Sequence, residues 1–221
     1  MTTYRLAFTL DSDATFGRGD GLAGVVDAEV QHDEDGLPYL GGRALKGVLA
    51  EECANIFFAL EKSDMADAWR AAAYELFGAP GSDAQAQSIL HVGHAQLPSD
   101  LRAAVQTGVR RGELSRGQVL ESLTAIRRQT AVDPASGAPR DETLRSMRVI
   151  VRGLAFTADL SFQGQPSPET LPLLAACVKG LRRAGQGRNR GRGRLTARLF
   201  DPDGQDITDA QFGVFKQKVA P

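Results

Sequence analysis

The sequence predicts an α+β fold in which helices cover one face of a β-sheet. Between Tyr4 and Leu10, apolar residues alternate with smaller or polar ones, which is the period of a half-buried strand. Between Leu45 and Leu60, apolar residues instead recur every three or four positions, as on an amphipathic helix. With 221 residues and 42% hydrophobic content, the chain has enough apolar surface for one core, and we expect a single domain over residues 1–221.

The elements of the first hundred residues follow from the same two periods. After the strand Tyr4–Leu10, a loop rich in Asp and Gly leads to a short extended segment at 25–31. A helix is predicted to begin at Ala44, directly after two glycines, and a second helix over 65–77 stops at a Gly/Pro-rich stretch. Residues 88–96 are a further strand candidate.

The residues from about 98 to 150 are predicted to form a protruding insertion. Ten arginines and no lysine lie between Leu101 and Arg152. The turn-forming stretch Asp133–Pro139 separates two polar arms. We therefore expect this part of the chain to project from the sheet as two arms joined by a turn.

The C-terminal third returns to the sheet pattern. Phe156–Phe162 alternates as a strand, and Ser167 followed by Pro168 is typical of a helix N-cap and first turn. We expect this helix to end near Ala184 and Leu195–Leu199 to form the last strand. The resulting order is that of a ferredoxin-like sheet with helices on one face, as in RNA-recognition domains, although that fold hosts many unrelated functions.

Charge is divided unevenly along the chain, although the formal net charge is only -1. The first 100 residues carry 6 basic and 16 acidic side chains, whereas residues 101–221 carry 20 basic and 11 acidic ones. The basic half suits nucleic acid, because local positive charge sets the affinity for phosphate. The acidic half is explained either by solvation or by a basic neighbour, such as a related or identical subunit.

The composition and residue spacing also predict the cellular compartment, the state of the cysteines and whether two histidines form a metal pair. No stretch reaches the roughly 18 apolar residues of a membrane span, and no apolar signal region follows the N-terminus, so we expect a cytoplasmic protein without a membrane partner. Cys53 and Cys177 lie on the apolar stripes of predicted helices, which predicts buried free thiols. His91 and His94 are three apart on a predicted strand and point to opposite faces, so no metal pair is predicted.

Two glycine-spaced basic segments are the strongest functional signal. The first, Gly41–Gly47, places Gly42 at the start of a helix, where unpaired N–H groups and the helix dipole favour an anion. Glycine lets a ligand approach the main chain, and Arg43 and Lys46 supply charge. We therefore predict phosphate binding by Gly42, Arg43, Lys46 and Gly47. The spacing is not that of a P-loop, and a tight turn entering a core helix is the alternative.

The second segment, Gly185–Arg194, alternates glycine with arginine and is called the Gly/Arg loop below. It joins a predicted helix to a predicted strand, so it is a bounded loop rather than a free tail. Seven arginines lie between Arg182 and Arg198, and this density of charge favours an RNA or DNA backbone over a purely solvated loop. The residues predicted to bind are Gly187, Arg188, Arg190, Arg192 and Arg194.

Together these segments resemble the RAMP superfamily, the repeat-associated RNA-binding proteins of CRISPR effector complexes. Gly36–Gly47 resembles the signature G-x-P-Y-[IL]-P-G-S-S-L-K-G, and the Gly/Arg loop resembles the family's C-terminal glycine-rich loop. The sequence departs from the signature in having Gly41 for the proline and Arg43-Ala44 for the paired serines. The resemblance therefore implies contacts to RNA from the backbone and Lys46 rather than from serine hydroxyls.

Within the superfamily, the sequence is most similar to the repeated backbone subunits of type III complexes, of Csm and Cmr type. In those subunits a segment G-G-x-D-x-x-[VI] carries the aspartate that cuts target RNA, and Gly24–Val30 is similar, with Asp27 in that position. Arg127–Ala138 resembles the thumb arm R-x-x-[VI]-[DN]-x-x-T-G-x-A, which assigns Arg127 and Arg128 to a thumb. Without the resemblance, Asp27 would be interpreted as a solvent-facing or turn-capping carboxylate.

The resemblance implies a function and a set of partners. The protein would grip guide RNA irrespective of base and would assemble with other RAMP subunits and with copies of itself in a filament. Its thumb would insert into the duplex of guide and complementary target RNA and expose a phosphate near Asp27 for cleavage, with a divalent metal, expected to be Mg²⁺. Arg18 lies in a glycine-rich loop that either adds a backbone contact or is structural.

Three alternatives stay open. The first is a non-catalytic RAMP subunit that only holds RNA and neighbouring subunits. The second is a stand-alone endoribonuclease of the superfamily that processes guide RNA. The third is an RNA-binding module outside CRISPR biology, which the aromatic content of 6% disfavours, because such modules stack bases on aromatic rings.

Overall fold

The computed structural model describes residues 2–21, 26–60, 66–79, 87–131, 133, 135–138 and 143–219. It contains both helices and antiparallel strands, which confirms the predicted α+β class. In chain order they are β1 (Thr2–Leu10), α1 (Gly42–Leu60), α2 (Ala66–Phe77), β2 (Leu90–Val92), α3 (Ser99–Arg110), α4 (Arg116–Leu123), β3 (Thr124–Gln129), β4 (Arg145–Ile150), β5 (Ala155–Phe162), α5 (Thr170–Gly180), β6 (Leu195–Phe200) and α6 (Thr208–Val219).

Four of the strands form an antiparallel sheet with the order β2-β5-β1-β6. Along β1, Leu6 and Phe8 are buried and share one core with Leu45 and Leu49 of α1 and with the apolar residues of α5. The alternating residues of the opposite face are exposed or partly exposed, and Arg5 is exposed. The helices therefore cover one face of the sheet, because burial of alternate residues allows only one face to pack on the core.

The predicted strands and the first two helices are confirmed, with small changes at their ends. Helix α1 begins at Gly42, before the predicted start at Ala44, because the Gly42 N–H donates to His94 Nδ1 at 2.9 Å. Strand β2 is shorter than predicted. The Gly93 N–H still donates to the Asp159 carbonyl, but the residues beyond it form isolated bridges instead of continuing the strand. The predicted start of α2 at residue 65 lies outside the described residues.

The extended segment predicted at 25–31 forms isolated bridges rather than a strand. Val30 pairs with Gly17, and Ala28 pairs with Met147 of β4. Residue 25 lies outside the described part of the chain. The segment therefore ties the N-terminal loop to β4.

The predicted limits of α5 were wrong at both ends. The helix begins at Thr170, not after an N-cap at Ser167, because the Ser167 N–H donates to Glu75 Oε2 at 3.0 Å and its hydroxyl bonds that of Thr170. It ends at Gly180, because the next residues pair with the start of β6 through Arg183 and Arg194.

The arginine-rich stretch contains two helices that the sequence analysis missed, α3 and α4, followed by the hairpin β3–β4. Ser115 and Gln118 form a capping box at the start of α4. The predicted turn is present in the described residues, where the Asp133 N–H donates to the Ala138 carbonyl at 2.9 Å. The remaining residues predicted for this turn, 134 and 139, lie outside the described part.

The core contains two free thiols and one buried ion pair. The thiols of Cys53 and Cys177 are buried and unpaired, as predicted, and burial raises the pKa of Cys177. Glu29 and Arg148 form a buried ion pair at 2.8 Å that fastens the segment 26–30 to β4. Among the described helices, none has the length and apolarity needed to cross a bilayer.

Candidate nucleic-acid interface

Close packing of glycine shapes the Gly/Arg loop. A Cβ on Gly193, whose φ is +65°, would overlap the Ala184 carbonyl oxygen, and one on Gly185 would overlap the Thr15 carbonyl. The Gln186 N–H donates to that Thr15 carbonyl at 2.8 Å, and the Gly193 N–H donates to the Asp13 carbonyl at 2.9 Å. The loop is therefore fixed against the chain that follows β1, and only glycine allows this approach.

The arginines of the loop differ in their partners. Arg188 donates to Glu51 Oε2 at 2.8 Å and accepts from Arg183 at its carbonyl, at 3.0 Å. Arg192 is half-buried against the Met147 sulfur, and its burial, with the nearby Arg127 and Arg190, lowers its pKa. The Gly/Arg loop thus carries more positive charge than the carboxylates paired with it neutralise.

The first glycine-rich segment uses part of its backbone internally. The N–H groups of Gly41 and Gly42 donate to Gln31 Oε1 and His94 Nδ1. The first intrahelical bond of α1 runs from the Leu45 N–H to the Gly41 carbonyl, so the N–H groups of Arg43 and Ala44 have no acceptor among the described residues. Gly47 is exposed, with open space where a Cβ would lie.

The structure brings the two glycine-rich segments together. One pocket of 630 Å³ is lined by Gly41, Gly42, Arg43 and Ala44 from the start of α1, and by Gly185, Gln186 and Arg188 from the Gly/Arg loop. Arg43 and Arg188 therefore line the same pocket, although they are far apart in sequence. Two cations and the start of a helix around one pocket suit a phosphate group.

Lys46 does not join this pocket, although the sequence analysis grouped it with Arg43. Its ammonium donates to the Ser88 hydroxyl and, at 2.8 Å, to the Leu90 carbonyl. Burial lowers the pKa of Lys46. The structure thus gives Lys46 a role in joining α1 to the start of β2.

A second groove, of 790 Å³, runs from α1 and α5 past the Gly/Arg loop to the β3–β4 hairpin. Arg127 on the hairpin donates two hydrogen bonds to Asp13 Oδ2, at 2.8 and 3.1 Å. Arg128 is exposed on the other face of β3. Of the two predicted thumb arginines, Arg127 therefore fixes the hairpin base and Arg128 is open to solvent.

Asp27 lies at the edge of β4. Its carboxylate accepts from the Ser146 N–H at 2.6 Å and from the Ser146 hydroxyl at 3.3 Å, and its own N–H donates to the Ser146 carbonyl. The side chain is exposed. Gly24 and Val25 of the predicted motif lie outside the described residues.

Arg18 forms a surface ion pair with Asp20, with Nε 2.6 Å from Oδ1. Its N–H donates to the Glu29 carbonyl, so its loop is packed on the segment that leads from Asp27. The guanidinium is 41% exposed. Arg18 is thus outside the pocket shared by Arg43 and Arg188.

The residues around Asp27 do not form a metal site of their own. Among the residues that the structure describes, no group of three His, Cys, Asp or Glu side chains is placed to hold an ion. Glu29, the next carboxylate along the chain, is used by Arg148. The described residues alone therefore supply no complete set of ligands for the divalent ion that the resemblance implies.

Several residues of the interface were missed by the sequence analysis. Glu51, Asp13 and His94 contact predicted site residues from segments far away in sequence, so no local pattern could have found them. Arg145 lies on the hairpin opposite Gln129. The high arginine content of this stretch was a signal for Arg145. Without the strand register, however, Arg145 could not be distinguished from the neighbouring arginines.

The comparisons with known proteins give the class of fold. No family model matches the sequence, and no curated protein matches it. The chain has the fold of subunits found in type III-B Cmr complexes.

Two similar structures are both chains of one kind of complex. The first is from the type III-B Cmr-beta complex bound to cognate target RNA, with a TM-score of 0.63 at 12% identity, covering 89% of this chain and 96% of that one. The second is from the Cmr-beta complex in its apo state, with a TM-score of 0.60 at 13% identity and the same coverage. At these identities the likeness shows a shared fold.

Proposed function

We propose that this chain is a RAMP-type backbone subunit of a type III CRISPR effector complex and that it binds guide RNA. The observation that carries the proposal is the pocket that Arg43 and Arg188 line together with two glycine-rich segments. The Cmr-type fold supports it, and the sheet order β2-β5-β1-β6 supports a ferredoxin-like sheet. In this proposal the chain assembles with other RAMP subunits and with copies of itself in a filament.

The pocket suits the backbone of RNA rather than its bases. Its charged lining residues are the two arginines, and His94, Gln31 and Gln186 supply polar groups. Arginine binds phosphate oxygens by charge-assisted hydrogen bonds that are the same for every nucleotide. Sequence selection then belongs to the guide, which pairs with the target.

Binding through phosphates predicts a defined salt dependence. We expect Arg43→Gln and Arg188→Gln each to weaken binding of single-stranded guide RNA and to lower the slope of log affinity against log salt by about 0.7. The matched control is Arg111→Gln, because Arg111 is exposed at the end of α3 and lies away from the pocket. Fluorescence anisotropy at several salt concentrations measures both quantities, and equal slopes for all variants would refute the RNA site.

We further propose that Asp27 assists cleavage of target RNA in the assembled complex. A 2′-hydroxyl oxygen attacks the neighbouring phosphorus, the bond from phosphorus to O2′ forms and the bond to O5′ breaks, which leaves a 2′,3′-cyclic phosphate and a 5′-hydroxyl. Asp27 accepts the proton of the attacking hydroxyl, and water protonates O5′. Its exposed position and its anchoring by Ser146 support this role.

Asp27→Asn tests the catalytic role separately from the fold. The amide oxygen still accepts from the Ser146 N–H, but the charge and the basicity are lost. We expect the assembled variant to bind target RNA normally and not to cut it, while Asp203→Asn, in an exposed turn before α6, cuts normally. Normal cutting by Asp27→Asn would favour the non-catalytic alternative, in which Asp27 only ties its segment to β4.

The divalent ion, expected to be Mg²⁺, is proposed as a requirement of the assembled complex. The proton transfers assigned to Asp27 and water do not involve it. Since the described protein residues form no site for it, RNA oxygens would have to supply most ligands. We expect chelation with EDTA to stop cleavage and added Mg²⁺ to restore it. Cleavage at an undiminished rate in EDTA would contradict the requirement.

A further inference from the structure

We propose that Arg145 and Arg190 form a clamp for one RNA phosphate between the β3–β4 hairpin and the Gly/Arg loop. This inference rests on the proposed RNA binding and adds a site to it, away from the pocket of Arg43 and Arg188. The space is a groove of 630 Å³. It is lined by Gln129, Thr130, Ala131, Thr143, Arg145 and Arg190.

Among the described residues, the charged lining of this groove is all positive. It consists of Arg145 and Arg190, which come from different elements, one from β4 and one from the Gly/Arg loop. The other lining residues are uncharged, and three of them carry hydroxyl or amide groups. An anion is therefore the ligand that this groove favours.

Strand register places Arg145 on the face of the hairpin that meets the loop. Arg145 pairs with Gln129, and two residues along the strands Met147 pairs with Arg127. Met147 contacts Arg192, and Arg127 reaches Asp13, whose carbonyl binds Gly193. Since side chains two apart on a strand share a face, Arg145 points to the same side.

The described carboxylates near the Gly/Arg loop pair with other arginines. Asp13 is held by Arg127 and Glu51 by Arg188, each at 2.8 Å. No carboxylate of the described residues pairs with Arg145 or Arg190, and both are exposed. Two unneutralised guanidinium groups repel each other, and a shared anion removes that repulsion.

The chemistry of the ligand follows from this geometry. A phosphodiester has two non-bridging oxygens, so it can accept from a guanidinium on each side at once. The groove is open along the hairpin and has no aromatic residue on which a base could stack. We therefore assign it to the backbone of single-stranded RNA, independent of sequence.

A double-mutant cycle tests the clamp with an unstructured oligouridine as the probe. We expect Arg145→Gln and Arg190→Gln each to bind about tenfold more weakly, with a salt slope lower by about 0.7. The double variant should show no further loss of slope, because only one phosphate is shared. Arg111→Gln is the control for loss of one exposed arginine, and circular dichroism verifies that each variant is folded.

Other outcomes separate failure of the clamp from failure of the proposed function. An unchanged slope in either single variant overturns the clamp, and a loss of about 1.4 in the double variant overturns the shared phosphate. If Arg43→Gln weakens binding while the Arg145 and Arg190 variants do not, the clamp fails and the proposed function stands. If the wild-type chain does not bind RNA, both fail.

Discussion

At the scale of single residues, Glu51 is the carboxylate that pairs with Arg188, one of the two arginines lining the proposed phosphate pocket. Its carboxylate holds Arg188 at 2.8 Å, with side-chain exposures of 52% and 35%. An ion pair this exposed contributes about 0–1 kcal/mol, so a phosphate can displace it. We interpret Glu51 as a competitor that keeps Arg188 neutralised until RNA is bound.

Glu51→Gln is therefore predicted to raise RNA affinity by about two- to fivefold. Glu52→Gln is the matched control, because Glu52 lines the same groove but makes no ion pair with a described residue. Anisotropy titrations at one salt concentration compare the two variants with the wild type. Equal gains from both substitutions would mean that net charge alone is responsible and would contradict the competition.

The buried pair of Glu29 and Arg148 behaves differently from the surface pairs. Arg148 also donates to the Thr124 hydroxyl, and Glu29 accepts from the Val30 N–H. Glu29→Gln leaves a buried guanidinium without its counter-charge, which is predicted to lower the free energy of unfolding by about 3–5 kcal/mol. Urea denaturation measures this loss.

A surface pair provides the comparison for that experiment. Asp20→Asn breaks the solvent-exposed ion pair with Arg18 and is expected to change the free energy of unfolding little. If both substitutions had the same small effect, Glu29 would not be the anchor of its segment.

At the scale of elements, the Gly/Arg loop depends more on Gly193 than on Gly191. Gly191 and Gly193 both have positive φ, at 78° and 65°, but only a Cβ on Gly193 meets another atom, the Ala184 carbonyl oxygen. Gly191→Ala should lower the free energy of unfolding by about 1–2 kcal/mol, which is the cost of holding alanine in the left-handed conformation. Gly193→Ala adds a backbone overlap.

We therefore predict that Gly193→Ala loses more stability and more RNA affinity than Gly191→Ala. The overlap would separate the loop from Ala184 and disturb the pairing of Arg183 with Arg194. Urea denaturation and RNA titration of the two variants measure the difference. Similar losses from both would show that the close approach at Gly193 is not needed.

The elements also show what a sequence can predict. The alternation in β1 and β5 and the stripe of α1 are local patterns, and the structure confirms them. Helix α3 was missed although Leu101, Val105 and Val109 recur every four residues, because the arginines of this stretch favoured a protruding insertion. Val105 and Val109 pack against the core, whereas Leu101 is exposed.

The site was predictable only where its signal was local. Glycine spacing and arginine density predicted the two segments that line one pocket. The partners of Lys46 and Arg188 could not be predicted, because Ser88 and Glu51 are 42 and 137 residues away in the chain. Packing, rather than residue type, decides which cations stay available for RNA.

At the scale of the whole molecule, some acidic side chains of the first half of the sequence pair with arginines of the second half. Three carboxylates of the acidic half, Asp13, Glu29 and Glu51, bind arginines of the basic half. These arginines are Arg127, Arg148 and Arg188. A basic neighbouring subunit is thus not needed to explain these three acids, and the pairs fasten the hairpin and the Gly/Arg loop to the first half of the fold.

Carboxylates that join distant elements also make stability depend on pH. Glu75 of α2 accepts from the Ser167 N–H and the Thr170 hydroxyl at the start of α5. Burial raises the pKa of Glu75, but these hydrogen bonds outweigh it and hold the pKa below its ordinary value of 4.5. A lowered pKa in the folded state stabilises the protein above pH 4.5, and the stabilisation is lost as pH falls below that value.

Glu75→Gln is therefore predicted to reduce the loss of stability on acidification. The amide does not titrate, so at pH 7 the variant should be less stable than the wild type, and the difference should shrink as pH falls through the region below 4.5. Urea denaturation across this pH range measures the difference. Glu113→Gln, on the exposed turn after α3, is the matched control and should leave the pH dependence unchanged. A constant difference between Glu75→Gln and wild type at all pH values would show that the contact between α2 and α5 does not depend on the charge of Glu75.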